Sequence, residues 1–231
     1  MDRTKSLPYV TICTPTYNRR SYIKRLIKMV ESQDYPSNLI QWIIVDDGED
    51  KIKDIVEHIP QVTYIEFDIK IPLGNKRNIS NNKSTGDIIV YMDDDDFYPP
   101  TRVSHAVEQL MKNPNKLCAG CSKTYVLFLD INEIRRFGPY NDNHATANTF
   151  AFRKELLDIT CFDSKAIISE EKQFLNKFSI PLIQLDTMKT ILVISHESNT
   201  FDKRRIIHYS KKSKKTGFDF SERFDIICHS N

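Results

Sequence analysis

The sequence predicts an α/β protein, a single domain whose mostly parallel central sheet carries helices on both faces. Three observations lead there. Between residues 9 and 92, short apolar runs of strand length alternate with segments of helical spacing in the order β-α-β-α-β-α-β. The early apolar runs stop at polar clusters (15–18, 46–48 and 93–96), as they do where an open sheet presents its carboxyl ends to a ligand. Finally, a chain of 231 residues, 40% apolar and 28% charged, can bury one sizeable core and is short for two full domains.

The elements follow in order. Residues 9–14 (YVTICT) form a β-rich run expected to end at Pro15. Over 19–32, Ile23, Leu26, Ile27 and Val30 fall at i, i+3, i+4 and i+7, one face of an amphipathic helix. Residues 40–45 (IQWIIV) form a second strand, halted by Asp46, Asp47 and Gly48, and 51–58 has helical spacing through Ile52, Ile55 and Val56. A third strand spans 62–67, a polar helix 73–83 and a fourth strand 87–92. Beyond it, 99–112 reads as a helix with proline in its first turn. Residues 123–129 and 134–137 read as a hairpin around 130–132, and 169–178 as a helix opened by Ser169. Residues 182–185 and 190–195 complete the pattern as short strands, expected to extend the same sheet and wall a cleft.

Composition narrows the class. The 33 Lys and Arg against 31 Asp and Glu leave a net charge of +2, which does not suggest a dedicated nucleic-acid partner. Only 6 Gly and 10 Pro argue against collagen-like or disordered chains. No apolar run approaches the ~20 residues of a membrane span, and the opening MDRTKSLP lacks the apolar core of a secretory signal. Five cysteines without such a signal read as reduced thiols, so the expected location is the cytoplasm or the cytosolic face of a membrane. Cys118 and Cys121 form a CxxC, but no second CxxC or paired histidines accompany it, and it reads as small residues at a strand edge.

Asp93, Asp94, Asp95 and Asp96 are the strongest chemical signal. Two like charges ~6 Å apart repel by about 0.7 kcal/mol in water and nearly 3 kcal/mol at an effective dielectric of ~20. The run follows the apolar strand IIVYM and precedes Phe97, so it is fixed at a strand end rather than free in a loop. Hard oxygen donors suit Mg²⁺ or Mn²⁺, which use one or two carboxylates together with substrate phosphates. In an extended segment Asp93 and Asp95 point one way, Asp94 and Asp96 the other. Lys76 and Arg77 are basic partners upstream.

Four segments now carry a resemblance: VTICTPTYNRR at the first strand, WIIVDDGE at the second, PLGNKRNISNNKSTGDIIVYMDDDDFYPP through the fourth, and ISEEKQFL later. In this order they resemble GT-A glycosyltransferases of family 2, strongly over 9–100, moderately to about 178 and weakly beyond. The resemblance implies a GT-A (Rossmann-like) domain over 1–202, a nucleotide-sugar half at about 9–100, an acceptor-side half at about 101–202, and a basic tail over 203–231. It implies that Pro15, Thr16, Tyr17 and Asn18 line the nucleotide base, with Asp46 or Asp47 accepting a hydrogen bond from uracil. The turn-capping reading of this Asp pair stands beside that one. Lys76, Arg77 and Asn78 match a basic segment near base and diphosphate. Asp93, Asp94 and Asp95 match the metal motif, Asp95 first as direct ligand to Mn²⁺ or Mg²⁺, with His196 a further candidate. Family members usually carry Glu-Asp at a helix start as base; Glu170 and Glu171 stand here, the base falling on Glu171 and then Glu170, although acids also favour a helix start.

The implied activity is metal-dependent transfer of a sugar from a nucleoside-diphosphate sugar, first of all a UDP-sugar, to a hydroxyl of a glycan, protein or small-molecule acceptor, with inversion. Two alternatives are a nucleotidyltransferase, which would carry a Gly- and Lys/Arg-rich early loop where TPTYN stands, and a GT-A protein that binds nucleotide sugar with little turnover. Lys203, Arg204, Arg205, Lys211, Lys212, Lys214 and Lys215 give the tail three readings: solvated, a lid over the diphosphate, or a peripheral contact with acidic lipid. His144, in NDNH, is a candidate to face the acceptor.

Overall fold

The computed structural model describes residues 6–199, 203–209 and 214–216. The first half follows the predicted order: β1 (Val10–Thr16), α1 (Arg20–Glu31), β2 (Ile40–Asp46), α2 (Lys53–Val56), β3 (Val62–Glu66), α3 (Leu73–Lys83) and β4 (Ile88–Tyr91). Strand β1 continues through Pro15, past its expected end. The reason is geometric. The Cys13 carbonyl faces β4, where it accepts from Met92 N at 3.1 Å, and the β1–β4 pairing ends at Cys13↔Tyr91. Pro15, two residues on, turns its missing N–H to the same side, where no ladder bond is lost. Helix α1 buries Ile23, Leu26 and Met29, with Ile27 and Val30 on the flanks of that stripe.

The second half contributes α4 (Arg102–Lys112), β5 (Cys118–Gly120), β6 (Thr124–Phe128), β7 (Glu133–Phe137), β8 (Ala151–Arg153), α5 (Glu171–Phe174), β9 (Leu182–Gln184), β10 (Val193–Ser195), α6 (Arg204–Tyr209) and β11 (Lys214–Lys215). Only part of it extends the first sheet. The large sheet runs β3-β2-β1-β4-β8-β5-β9, and β8 is the one strand antiparallel to its neighbours. The others form a second sheet in the order β10-β6-β7-β11, built on the predicted hairpin. An antiparallel bridge between Phe97 and Leu192 ties the aspartate segment to the strand entering this second sheet. The helix expected over 169–178 is a single turn, because Asn176, Lys177 and Phe178 all take positive φ. Ser169 is itself left-handed at φ 55°, so Glu170, not Ser169, occupies the N-cap.

Both faces of the large sheet are buried. Along β4, Ile88 and Val90 enter one apolar cluster while Ile89 and Tyr91 enter the other. Cys118 and Cys121 are divided the same way, each in a different cluster, so the CxxC cannot close on one metal ion, and burial raises both thiols above their usual range. Parallel register aligns Thr16 with Asp46 and Cys13 with Tyr91, which brings the polar ends of β1, β2 and β4 to one edge. Among the described residues, no helix is long and apolar enough to cross a membrane. Two lysines of the described part of the basic segment touch the domain: Lys203 Nζ donates to the Ile194 carbonyl at 2.8 Å, and Lys215 pairs with Glu133 at 2.9 Å. Lys211 and Lys212 lie outside the described residues.

Candidate active site

The ends of β1 and β2 are held together by their own polar side chains. Asp46, buried, accepts from Gly48 N at 2.8 Å, Ile52 N at 3.1 Å and the Tyr64 hydroxyl at 2.6 Å. Asn18, left-handed at φ 52°, accepts from Glu49 N and Asp50 N at 2.7 and 3.1 Å. A Cβ on Gly48 would stand 2.6 Å from Asn18 N, so this turn has room only for glycine. Asp47 accepts from Ile71 N at 2.7 Å and pairs with Lys76, whose Nζ also donates to the Thr16 carbonyl at 2.9 Å. The Tyr17 ring lies beneath Lys70 Nζ at 3.9 Å and Lys76 Nζ at 5.8 Å. Burial lowers the Lys76 ammonium below its usual range, against the pull of Asp47. Replacing Asp47 with Ala strands that buried cation and is expected to lower stability by about 3–5 kcal/mol, read as a drop in the urea midpoint.

Arg77 organises the next layer. Its guanidinium is buried 4.5 Å from the Tyr91 ring, forks onto Asp93 at 3.1 and 3.2 Å, and donates from Nε to Glu170 at 2.9 Å. Helix α3 thus ties the acidic run to α5. Phe174 anchors α5 by stacking on Phe162 at 4.2 Å. Asn78, on the same helix, faces away from this cluster and bonds Phe162 N and O at 3.0 and 2.8 Å. With Glu170 committed to Arg77, Glu171 remains: among the described residues no other side chain hydrogen-bonds to it, and burial raises its carboxyl above the usual range.

The four aspartates take four environments. Burial raises Asp93, which the Arg77 guanidinium opposes. Burial, and then the charge of Asp95, raise Asp94 well above the carboxylate range, with Arg19 Nε 3.8 Å from it. Asp96 is structural: it accepts from Ile194 N at 2.9 Å and Asn148 Nδ2 at 2.7 Å, and burial pushes its carboxyl up to about 7. At Asp95 burial is outweighed by His196, Lys203 and Arg19, and the carboxyl is lowered to about 2. Its Oδ2 meets His196 Nε2 at 3.2 Å, Asn199 Nδ2 at 3.1 Å and Arg19 Nη2 at 3.6 Å. Its Oδ1 accepts no hydrogen bond among the described residues.

Asp93, Asp95, Arg77, Glu170 and Glu171 line one cleft of about 330 Å³, which Asn199 and Lys203 also line. Asp46 and Asn78 are engaged elsewhere, and His196 sits behind Asp95 against a neighbouring cavity with Tyr22 and Arg204. His144 packs between Tyr140 and Phe178 at 4.7 and 5.0 Å. Among the described residues, no three His, Cys, Asp or Glu side chains are gathered to hold a metal ion unaided. An ionised Asp95 with one uncommitted oxygen nevertheless fits a hard cation that takes one or two carboxylates and completes its shell with substrate phosphates. Sequence reasoning missed Arg19, Tyr22, Asn148 and Asn199. Their contacts cross 52 to 179 positions of chain, and the one local signal was the polar HESN following the last strand.

A largely parallel sheet with an aspartate run at its carboxyl edge and an acidic pair lining the same cleft is the arrangement of a GT-A glycosyltransferase fold. The chain belongs to glycosyl transferase family 2, whose pattern it matches over residues 11–167. It is 36% identical to the Escherichia coli (strain K12) glycosyl transferase WcaA over 105 residues, 43% of this chain and 37% of WcaA. It is 30% identical to glycosyltransferase AglE of Haloferax volcanii over 98 residues, 40% of this chain and 32% of AglE. The matched stretch therefore spans about a third of these relatives. Among solved structures, the mannosyltransferase PcManGT of Pyrobaculum calidifontis, in complex with GDP-Man and Mn²⁺, superposes with a TM-score of 0.67 at 19% identity, covering 84% of this chain and 59% of that one. Staphylococcus aureus TarS 1-349 with UDP-GlcNAc gives 0.62 at 18%, covering 82% and 59%. At these identities the likeness is one of fold.

Proposed function

We propose that this chain is a metal-dependent glycosyltransferase that moves a sugar from a nucleoside-diphosphate sugar, first of all a UDP-sugar, to an acceptor hydroxyl with inversion at the anomeric carbon. The observation that carries the reading is one cleft lined both by Asp95, whose carboxyl is lowered, and by Glu171, whose carboxyl is raised and which no other side chain hydrogen-bonds among the described residues. The ligands of the two solved structures, GDP-Man and UDP-GlcNAc, support the donor class. Residues 9–100 serve the donor, with Pro15, Thr16, Tyr17 and Asn18 at the base and Asp46 and Asp47 bracing that turn through Tyr64 and Lys76. Residues 101–202 serve the acceptor. Asp95, with Asp93 and Asp94 beside it, would hold Mn²⁺ or Mg²⁺. Such a cation, when bound, offsets negative charge on the departing nucleoside diphosphate. Arg77 and Lys203 add positive charge to the lining of the same cleft. Glu171 accepts the proton of the attacking hydroxyl, and Glu170 holds Arg77 in place.

The test is a panel of uridine and guanosine sugars with Mn²⁺, scored by melting temperature and slow hydrolysis. A donor at 100 times its Kd stabilises by about 2.7 kcal/mol, which raises the melting temperature by several degrees. A flat response across the panel rejects the donor assignment, and release of pyrophosphate in place of nucleoside diphosphate turns the reading to a nucleotidyltransferase.

A further inference from the structure

Part of the lining of the cleft is aliphatic. Leu73, Ala147, Ile167 and Ile168 line it together with Glu171. Ile167 is 64% exposed and Ile168 is 48% exposed, and both stand just ahead of α5. The backbone that carries them is held on both sides. Upstream, the stretch 162–166 is fastened to α3: Asn78 Nδ2 lies 3.1 Å from Ser164 Oγ, and Gly74 N donates to the Ala166 carbonyl at 2.9 Å. A Cβ on Gly74 would overlap the Asp163 carbonyl oxygen, so the helix and this stretch meet backbone to backbone. Downstream, Arg77 Nε holds Glu170 at 2.9 Å, and the left-handed Ser169 turns the chain into α5.

Two adjacent isoleucines therefore stand in water between anchors at Ala166 and Glu170. A segment pinned in this way does not fold its side chains back into a core, and exposed apolar surface inside a cleft marks what the cleft receives. The chemistry of the side chains narrows the ligand. Branched aliphatic groups offer no hydrogen bonds for sugar hydroxyls and no aromatic face for a sugar ring. They complement hydrocarbon. Ile168 lies three positions before Glu171, so the apolar surface adjoins the carboxyl that meets the attacking hydroxyl.

We propose that Ile167 and Ile168 are specificity-determining residues for the acceptor, and that this acceptor carries an apolar group (alkyl, aryl or isoprenoid) next to its reacting sugar. The inference rests on the reading of Glu171 as the acceptor's base. A bare sugar would leave both isoleucines wet in the bound state.

The test is the isoleucine δ1-methyl ¹³C–¹H spectrum of the full chain, titrated with glucosides, galactosides and N-acetylglucosaminides. Each sugar is offered as its methyl, hexyl, phenyl and citronellyl glycoside, below micelle formation. The Ile167 and Ile168 signals are expected to move with an apolar glycoside and not with its methyl counterpart, and the three apolar groups separate alkyl, aryl and isoprenoid acceptors. Ile131, 50% exposed at the β6–β7 turn and outside the cleft, should stay in place. No movement with any glycoside, or equal movement at Ile131, overturns the proposal. Transfer gives a second reading. The preferred apolar glycoside should exceed its methyl counterpart by about tenfold in kcat/KM. Ile167→Ser with Ile168→Ser should bring that ratio near one, and Ile131→Ser should keep it. A ratio near one in wild type, or one that survives the double variant, overturns the proposal. If no donor is turned over, the transferase reading falls, while the methyl spectrum still decides whether the cleft takes an apolar group.

Discussion

Asp95→Asn is expected to cut sugar transfer by about 10³-fold while the protein stays folded. The size follows from removing an acid of the cleft whose carboxyl is lowered and whose Oδ1 accepts no hydrogen bond among the described residues; several kcal/mol of transition-state stabilisation corresponds to two to three decades in rate. The stability side has two opposing parts. Asp95 has a folded pKa depressed below its unfolded value, so its charge contributes stability that is present above about pH 4 and lost as pH falls through about 2. The amide gives that up. It also removes a charge that adds to burial in raising Asp94 and Asp96, which returns part of that stability at neutral pH. The expected signature is a melting temperature within a few degrees of wild type beside a collapse in turnover. Transfer at the wild-type rate by folded Asp95→Asn sinks the assignment.

The same contrast explains what the sequence could disclose. Helix α3 is legible to the residue, Leu73–Lys83, because proline and a polar run bound it locally, and β1, β2 and β4 are legible because their apolar runs are long enough to be buried on both faces. Strand β8 is three residues, Ala151–Arg153, and exists only because β4 and β5 flank it; nothing local distinguishes it from a loop. The division into two sheets is likewise a fact about which strands meet. At the site, the aspartate run and the Glu170–Glu171 pair announce themselves by charge, but their roles do not. Asp46 and Asp47 are equivalent as letters. Only the fold gives Asp46 to Gly48, Ile52 and Tyr64, and Asp47 to Lys76. Four adjacent aspartates look interchangeable until Arg77 claims the first, Ile194 and Asn148 claim the fourth, and His196 with Asn199 reaches the third from the other end of the domain.

The Glu170–Glu171 pair permits a test in which the two neighbours should fail differently. Glu171→Gln keeps shape and removes the base, and is expected to lower kcat by about 10²–10⁴-fold with donor KM unchanged. Wild-type kcat/KM should fall on acidification with a midpoint above the ordinary glutamate range, since burial raises this carboxyl and only its ionised form accepts a proton. The stability effect has the opposite sign to the catalytic one. A glutamate with a raised folded pKa contributes stability that is fully present below its unfolded pKa and lost as pH rises through the folded one. Glu171→Gln should therefore melt no lower than wild type at pH 8 and with less dependence on pH. Glu170→Gln should behave otherwise, because it breaks a buried pair with Arg77. Its expected loss is about 3–5 kcal/mol of stability, with Arg77 left to Asp93 alone. A Glu171→Gln protein that turns over like wild type, beside a stable and inactive Glu170→Gln, would move the base to Glu170 and leave Arg77 as the group that tunes it.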